Sequence, residues 1–164
     1  NDATIALAEA VAGSQAACAE RMNREAARVG MANSHFVNAT GLPGAQHYST
    51  ARDLSLLAAA LIRDFPDEYA RYYAVREYRY NNITQLNRNR LLWLDASVDG
   101  VKTGFAESAG YCLIASAQRG GARVESGGVR AASRLGRGPG IDEGAHLGAP
   151  PLCWVGAIPG GVGR

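Results

Sequence analysis

The sequence predicts an α+β fold, with helices first and strands last. Residues 3–62 hold apolar positions at helical spacing, with recognisable start and stop signals. Residues 75–124 hold short apolar stretches separated by turn residues. Of the 164 residues, 47% are hydrophobic, enough to core one domain or a large piece of one.

Residues 3–12 are apolar and Ala-rich, and Gly13-Ser14 stops one helix and starts the next. Ser14 carries the side-chain oxygen of an N-cap, and Gly30 suits the left-handed position after a helix ending at Val29. Residues 31–47 read as loop, punctuated by Asn33, Asn38, Gly41, Pro43 and Gly44. Thr50-Ala51-Arg52-Asp53 fits a capping box, and the helix it opens puts Leu54, Leu57, Ala58, Leu61 and Ile62 on one face. Pro66 ends that helix and Asp67–Tyr73 reads as a short further one. Val75–Tyr80 alternates as a strand, and Asn81-Asn82 suits a turn because asparagine tolerates left-handed dihedrals. Leu91–Leu94 is a short apolar patch. Val101–Phe105 and Tyr111–Gln118 read as strands, and Gly120-Gly121 as a hairpin turn toward a third. That strand begins at Ala122-Arg123-Val124 and loses its pattern at Glu125-Ser126-Gly127-Gly128.

Composition changes at the same place. Eleven of the 20 glycines and four of the six prolines lie in residues 125–164, which show neither helical nor strand periodicity. Such a stretch buries too little side chain to offset its ordering entropy, so it is expected to be irregular. The expected organisation is therefore a folded part over residues 1–124 and a Gly/Pro-rich tail over 125–164. So abrupt a change inside a strand is what a shifted reading frame would produce.

Several function classes are disfavoured. A net charge of +2 makes no case for nucleic acid. Cys18, Cys112 and Cys153 form no C-x-x-C pair and are odd in number, which argues against a zinc site and a disulfide framework. His35, His47 and His146 are scattered, and no Gly-x-Ser-x-Gly is present. No metal or cofactor is expected. Tyr69, Tyr72, Tyr73, Tyr78 and Tyr80 read as packing groups, and Arg88 and Arg90 as residues that fix a loop. No apolar run reaches the length of a membrane span, and no signal peptide opens the chain.

The chemistry-bearing motif is Lys102-Thr103-Gly104, preceded by Asp99-Gly100 and followed by Phe105 on a strand-turn-strand pattern. Lys102 would set an ammonium against a carboxylate, and Thr103 a hydroxyl beside it. Gly104, lacking a Cβ, would let an extended peptide lie close and pair as an added strand. The Phe105 N–H would face a tetrahedral oxyanion.

Lys-Thr-Gly is the third signature of serine penicillin-binding proteins and class A β-lactamases. Met22-Asn23, Ala26, Gly30-Met31, Phe36, Asn38, Gly41-Leu42 and Ser49-Thr50-Ala51-x-Asp53 precede it in a family order. So do Tyr80-Asn81, Gln85, Asn87-Arg88-Asn89 and Leu91-Leu92. Over residues 1–124 the sequence resembles the low-molecular-mass penicillin-binding proteins, the serine-type D-alanyl-D-alanine carboxypeptidases. The resemblance implies part of a β-lactamase/transpeptidase-like fold, a helical region plus an antiparallel sheet, with the N-terminal part missing. It implies a hydrolase acting on peptidoglycan stem peptides that end in D-Ala-D-Ala, inhibited by β-lactams. It implies a periplasmic or extracytoplasmic site of action, with membrane association only through elements this chain lacks.

The family's motifs are Ser-x-x-Lys, Ser-Gly-Asn and Lys-Thr-Gly. Asn1-Asp2-Ala3 resembles the end of Ser-Gly-Asn-Asp-Ala, which makes Asn1 the motif asparagine. Lys102 is the only lysine and no serine stands three residues before it, so the nucleophile and its lysine base are absent from the chain. Ala106 stands where the resemblance implies a small hydroxyl residue, and the family's hydrophobic third strand is not seen after Val124. Two other readings compete. One is a catalytically inactive module that binds stem peptides or β-lactams. The other, weaker because no Glu-x-x-Leu-Asn precedes Lys102, is a class A β-lactamase fragment.

Overall fold

Local capping chemistry decides where the first helices begin and end. The structure, a computed structural model, describes residues 1–107, 109–120, 122–131 and 153–158. The chain divides into two units, Asn1–Leu57 and Ala58–Arg164, taken in turn below.

In the first unit, α1 (Asp2–Ala12) ends at Gly13, whose φ of 81° is the left-handed conformation a C-terminal cap requires. Helix α2 (Gln15–Val29) opens where the Ser14 hydroxyl accepts the Ala17 N–H at 3.1 Å, and closes at Gly30 with φ 87°. Both ends stand where the sequence predicts them. Asn23 then reaches out of α2 and bonds Phe36 twice, accepting its N–H and donating to its carbonyl, each at 2.8 Å. This amide splints the loop over residues 31–50. His47 packs edge-on against Phe36 and accepts the Val37 N–H at 3.1 Å. Burial, and then the neighbouring His35, hold its pKa below the ordinary value.

Helix α3 (Ala51–Asp64) shows only half of the expected capping box. The Thr50 hydroxyl accepts the Asp53 N–H at 3.1 Å, but the Asp53 carboxylate does not reach back. It is buried, and one of its oxygens accepts from the Asn33 N–H and the Ser34 hydroxyl, each at 2.7 Å. A buried charge needs such donors, so this acid ties the loop to the helix.

In the second unit, α4 (Pro66–Tyr72) has its proline in the first turn, where no N–H is missed. Strands β1 (Glu77–Tyr80) and β2 (Ile83–Leu86) pair antiparallel around Asn81 and Asn82, with φ of 47° and 61°. The sequence predicts the first strand and the turn but not β2, a short and fully exposed segment. Leu91–Leu94, a patch in the sequence, is the short helix α5.

Strands β3 (Val98–Ala106), β4 (Gly110–Arg119), β5 (Ala122–Ala131) and β6 (Cys153–Ile158) form one antiparallel sheet in chain order. Strand β5 does not stop near Val124 as expected. Pairing with β4 carries it to Ala131, with Gly127 opposite Ile114 and Gly128 opposite Leu113. Strand β6 lies within the stretch expected to be irregular. Residues 132–152 and 159–164 lie outside the described residues.

Leu91, Leu92, Val98, Leu113, Ala115 and Ala117 form a buried apolar cluster on one face of β3 and β4. Asn89, itself buried, donates to the Gly100 carbonyl at 3.1 Å and accepts the Leu91 N–H at 3.2 Å, joining α5 to β3. Gly100 is a close approach. A Cβ there would fall on the Tyr69 hydroxyl and lie 3.3 Å from the Tyr73 Cβ. We expect Gly100→Ala to lower stability by about 1–3 kcal/mol, the usual cost of overpacking. The urea midpoint measures this, and an unchanged midpoint would contradict the packing described.

Candidate active site on the β3 edge

Strand β3 is the first strand of its sheet and pairs only with β4, so among the described residues its other edge is open. An open edge presents unpaired backbone groups to which an extended peptide can add. Residues 102–105 lie on it, opposite Ile114, Leu113, Cys112 and Tyr111 in turn.

Cross-strand partners share a face of the sheet. Thr103 and Phe105 therefore lie on the side of Leu113 and Tyr111, and the Phe105 ring sits 4.6 Å from that of Tyr111. Lys102 and Gly104 lie on the other side, with Ile114 and Cys112. In front of Gly104 the chain leaves space. A Cβ there would meet only the Cys112 Cβ, at an ordinary 3.8 Å.

Lys102 is exposed as a residue, and its ammonium donates to the Thr103 carbonyl. Desolvation, and next the Arg88 guanidinium, hold its pKa below the ordinary lysine value. The sequence reading gives Arg88 and Arg90 the task of fixing the loop. The asparagines perform it instead: Asn87 accepts the Asn89 N–H at 2.9 Å and bonds both Val75 and Arg76, while Asn89 holds Gly100. Arg88 acts on Lys102 electrostatically, a role the sequence reading did not give it.

Asn1 stands at the N-cap position of α1 in the first unit, exposed, and its side chain makes no capping bond. Its carbonyl accepts the Ile5 N–H at 3.0 Å. Ala106 ends β3 with no hydroxyl to offer. Of the tyrosines, Tyr69 is buried and stacks on Tyr73 at 4.9 Å, as packing groups would, whereas Tyr72, Tyr78 and Tyr80 are exposed. Among the described residues no group of His, Cys, Asp or Glu could hold a metal, and no helix is long and apolar enough to cross a membrane.

The family model for D-alanyl-D-alanine carboxypeptidase (peptidase S11) matches residues 1–132. The chain is 47% identical over 127 residues to the D-alanyl-D-alanine carboxypeptidase DacA of Escherichia coli K12, covering 77% of this chain and 31% of that protein. It is 49% identical over 127 residues to DacC of the same organism, covering 77% and 32%. Among solved structures it is similar to penicillin-binding protein 5 of Haemophilus influenzae, with a TM-score of 0.69, 43% identity, and coverage of 73% of this chain and 35% of that one. It is also similar to penicillin-binding protein D2 of Listeria monocytogenes in its cefotaxime-bound form, with a TM-score of 0.74, 36% identity, and coverage of 82% and 55%. The chain spans about a third of the length of the curated relatives it matches. On this ground the chain belongs to the D-alanyl-D-alanine carboxypeptidase family.

Proposed function

We propose that this chain carries the substrate-receiving side of a serine-type D-alanyl-D-alanine carboxypeptidase. The observation that carries the reading is the placement of Lys102-Thr103-Gly104 on the open edge of β3. A peptide ending in D-Ala-D-Ala has an extended backbone and a terminal carboxylate. The strand edge pairs with the first and Lys102 holds the second. Thr103 stands on the opposite face of β3 from Lys102, so its hydroxyl would reach the carboxylate only around the open strand edge, and the Phe105 N–H stabilises the oxyanion formed when the scissile carbonyl is attacked. Asn1 belongs to the same machinery as the end of its Ser-x-Asn motif. The attack itself needs a serine and a lysine base, and the sequence holds no Ser-x-x-Lys. β-Lactams would occupy the same edge through their own carboxylate. Peptidoglycan as substrate puts the site of action outside the cytoplasm. The Gly/Pro-rich stretch beyond residue 132, where the family match ends, we assign to a shifted reading frame. The coding DNA supports this if another frame continues a strand pattern there, and contradicts it if none does.

The missing Ser-x-x-Lys favours one second reading, a module that binds stem peptides without cleaving them. Labelled penicillin separates the two. This chain alone should gain no covalent adduct by mass spectrometry, and a version extended upstream to include a Ser-x-x-Lys should gain one. An adduct on the chain alone would overturn the absence of a nucleophile. No adduct on the extended protein would leave the binding module as the correct reading.

Lys102 is the only lysine in the sequence, so lysine-specific isotope labelling gives a single side-chain signal. Its ammonium should titrate below an ordinary lysine, and carboxylate binding should fall as pH rises through that lowered pKa. Arg88→Gln removes a repelling charge and should move the pKa upward. The recovery should be partial, because desolvation is the larger cause. A lysine titrating at its ordinary value, or one indifferent to Arg88→Gln, would contradict the desolvation and repulsion assigned to Lys102.

A further inference from the structure

Val98 and Lys102 are four residues apart on one strand, and regular alternation would put both on the same face. They are on opposite faces. Val98 lies opposite Ala117, in the apolar cluster, whereas Lys102 lies opposite Ile114 on the other side. The phase changes at Asp99. Val98 pairs with Ala117 and Gly100 with Ser116, so one residue is extra in β3 and Asp99 has no partner in the ladder. With Val98 kept opposite Ala117 and no extra residue, Lys102 would come opposite Leu113, turned into the apolar cluster. The bulge is therefore what allows this strand both to bury Val98 and to present the lysine.

The extra residue is held by side chains from two elements, one of them anchored in turn on Ser116. Arg123 of β5 donates through Nη1 to both carboxylate oxygens of Asp99, at 3.0 and 2.8 Å, and to the Ser116 hydroxyl at 2.6 Å. Tyr69 of α4, buried, donates its hydroxyl to Asp99 at 3.1 Å. The Arg123 guanidinium lies over the Tyr69 ring at 5.5 Å. That same hydroxyl occupies the space where a side chain at Gly100 would be. Asp99 and Gly100 thus face the same clasp, side by side.

We propose that Asp99, Arg123 and Tyr69 are positioning residues for Lys102: their clasp holds the bulge and so fixes the face on which the lysine stands. The importance of that face rests on the reading of Lys102 as a carboxylate grip. The clasp as a register lock does not, and can be tested without any ligand.

Cys112 reports the register. In the bulged strand Gly104 is opposite it, and a Cβ at Gly104 would lie 3.8 Å from the Cys112 Cβ, the separation a disulfide spans. In the unbulged register Thr103 takes that place. The experiment uses the whole chain with Cys18→Ser and Cys153→Ser, adding either Gly104→Cys or Thr103→Cys, followed by mild oxidation and peptide mapping. With the clasp intact, Gly104→Cys should link to Cys112 and Thr103→Cys should not. Adding Arg123→Gln or Asp99→Asn should shift the ratio of the two links toward Thr103→Cys by about tenfold or more, as loss of charged hydrogen bonds implies. Tyr69→Phe, which removes one hydroxyl and keeps the ring, should shift it less and in the same direction. An unchanged ratio in all three would overturn the proposal. Loss of both links with no gain at Thr103→Cys would also overturn it, since the clasp would then hold the sheet together and not its phase.

Discussion

One strand has to bury an aliphatic residue and, four positions later, present a charge on the opposite face. A regular strand cannot do this, because its side chains alternate strictly. The extra residue at Asp99 resolves the conflict, and much of the second unit is arranged around it. Tyr69 and Arg123 converge on Asp99, Ser116 accepts from the same Arg123 nitrogen, and Asn89 holds the next carbonyl. Gly100 has no side chain because the Tyr69 hydroxyl is there. The motif that identifies the family begins two residues further on.

The electrostatics of the edge follow from this placement. A lysine turned into the apolar cluster would be held neutral or would disrupt the cluster. On the other face, at an open edge, Lys102 remains exposed as a residue while its ammonium is partly desolvated and repelled by Arg88. An anionic group beside Lys102 would offset both effects. The ion pairs elsewhere in the unit are of another kind. Arg119 meets Asp95 beside Ser97, which bonds the same carboxylate at 2.7 Å, and this closes the turn entering β3.

Much of the first unit was legible in the sequence because its signals are local. Ser14 and Gly30 bound α2 through their own side chain or backbone conformation, and neighbours three residues away suffice. Asn81-Asn82 marked its turn for the same reason. What escaped depends on partners distant in sequence. Strand β2 has too short and too exposed a pattern to read alone. The continuation of β5 through Gly127 and Gly128 runs against strand propensity and is imposed by pairing with β4. The Asp53 carboxylate left its capping box for donors 19 and 20 residues away. Of the site, Lys102-Thr103-Gly104 was legible as a motif. The role of Arg88 was not, because only the fold brings it to bear on Lys102.

The central claim is that this edge receives a terminal carboxylate, and the single lysine gives a direct probe of it. An N-acyl-D-Ala-D-Ala peptide and its C-terminal amide differ only in the group Lys102 would hold. Each should be titrated into the lysine-labelled chain while the Lys102 side-chain signal is followed. The free acid should shift that signal saturably, and the amide should bind at least about tenfold more weakly, the loss expected for one charge-assisted hydrogen bond. Equal shifts from acid and amide, or none from either, would contradict the account.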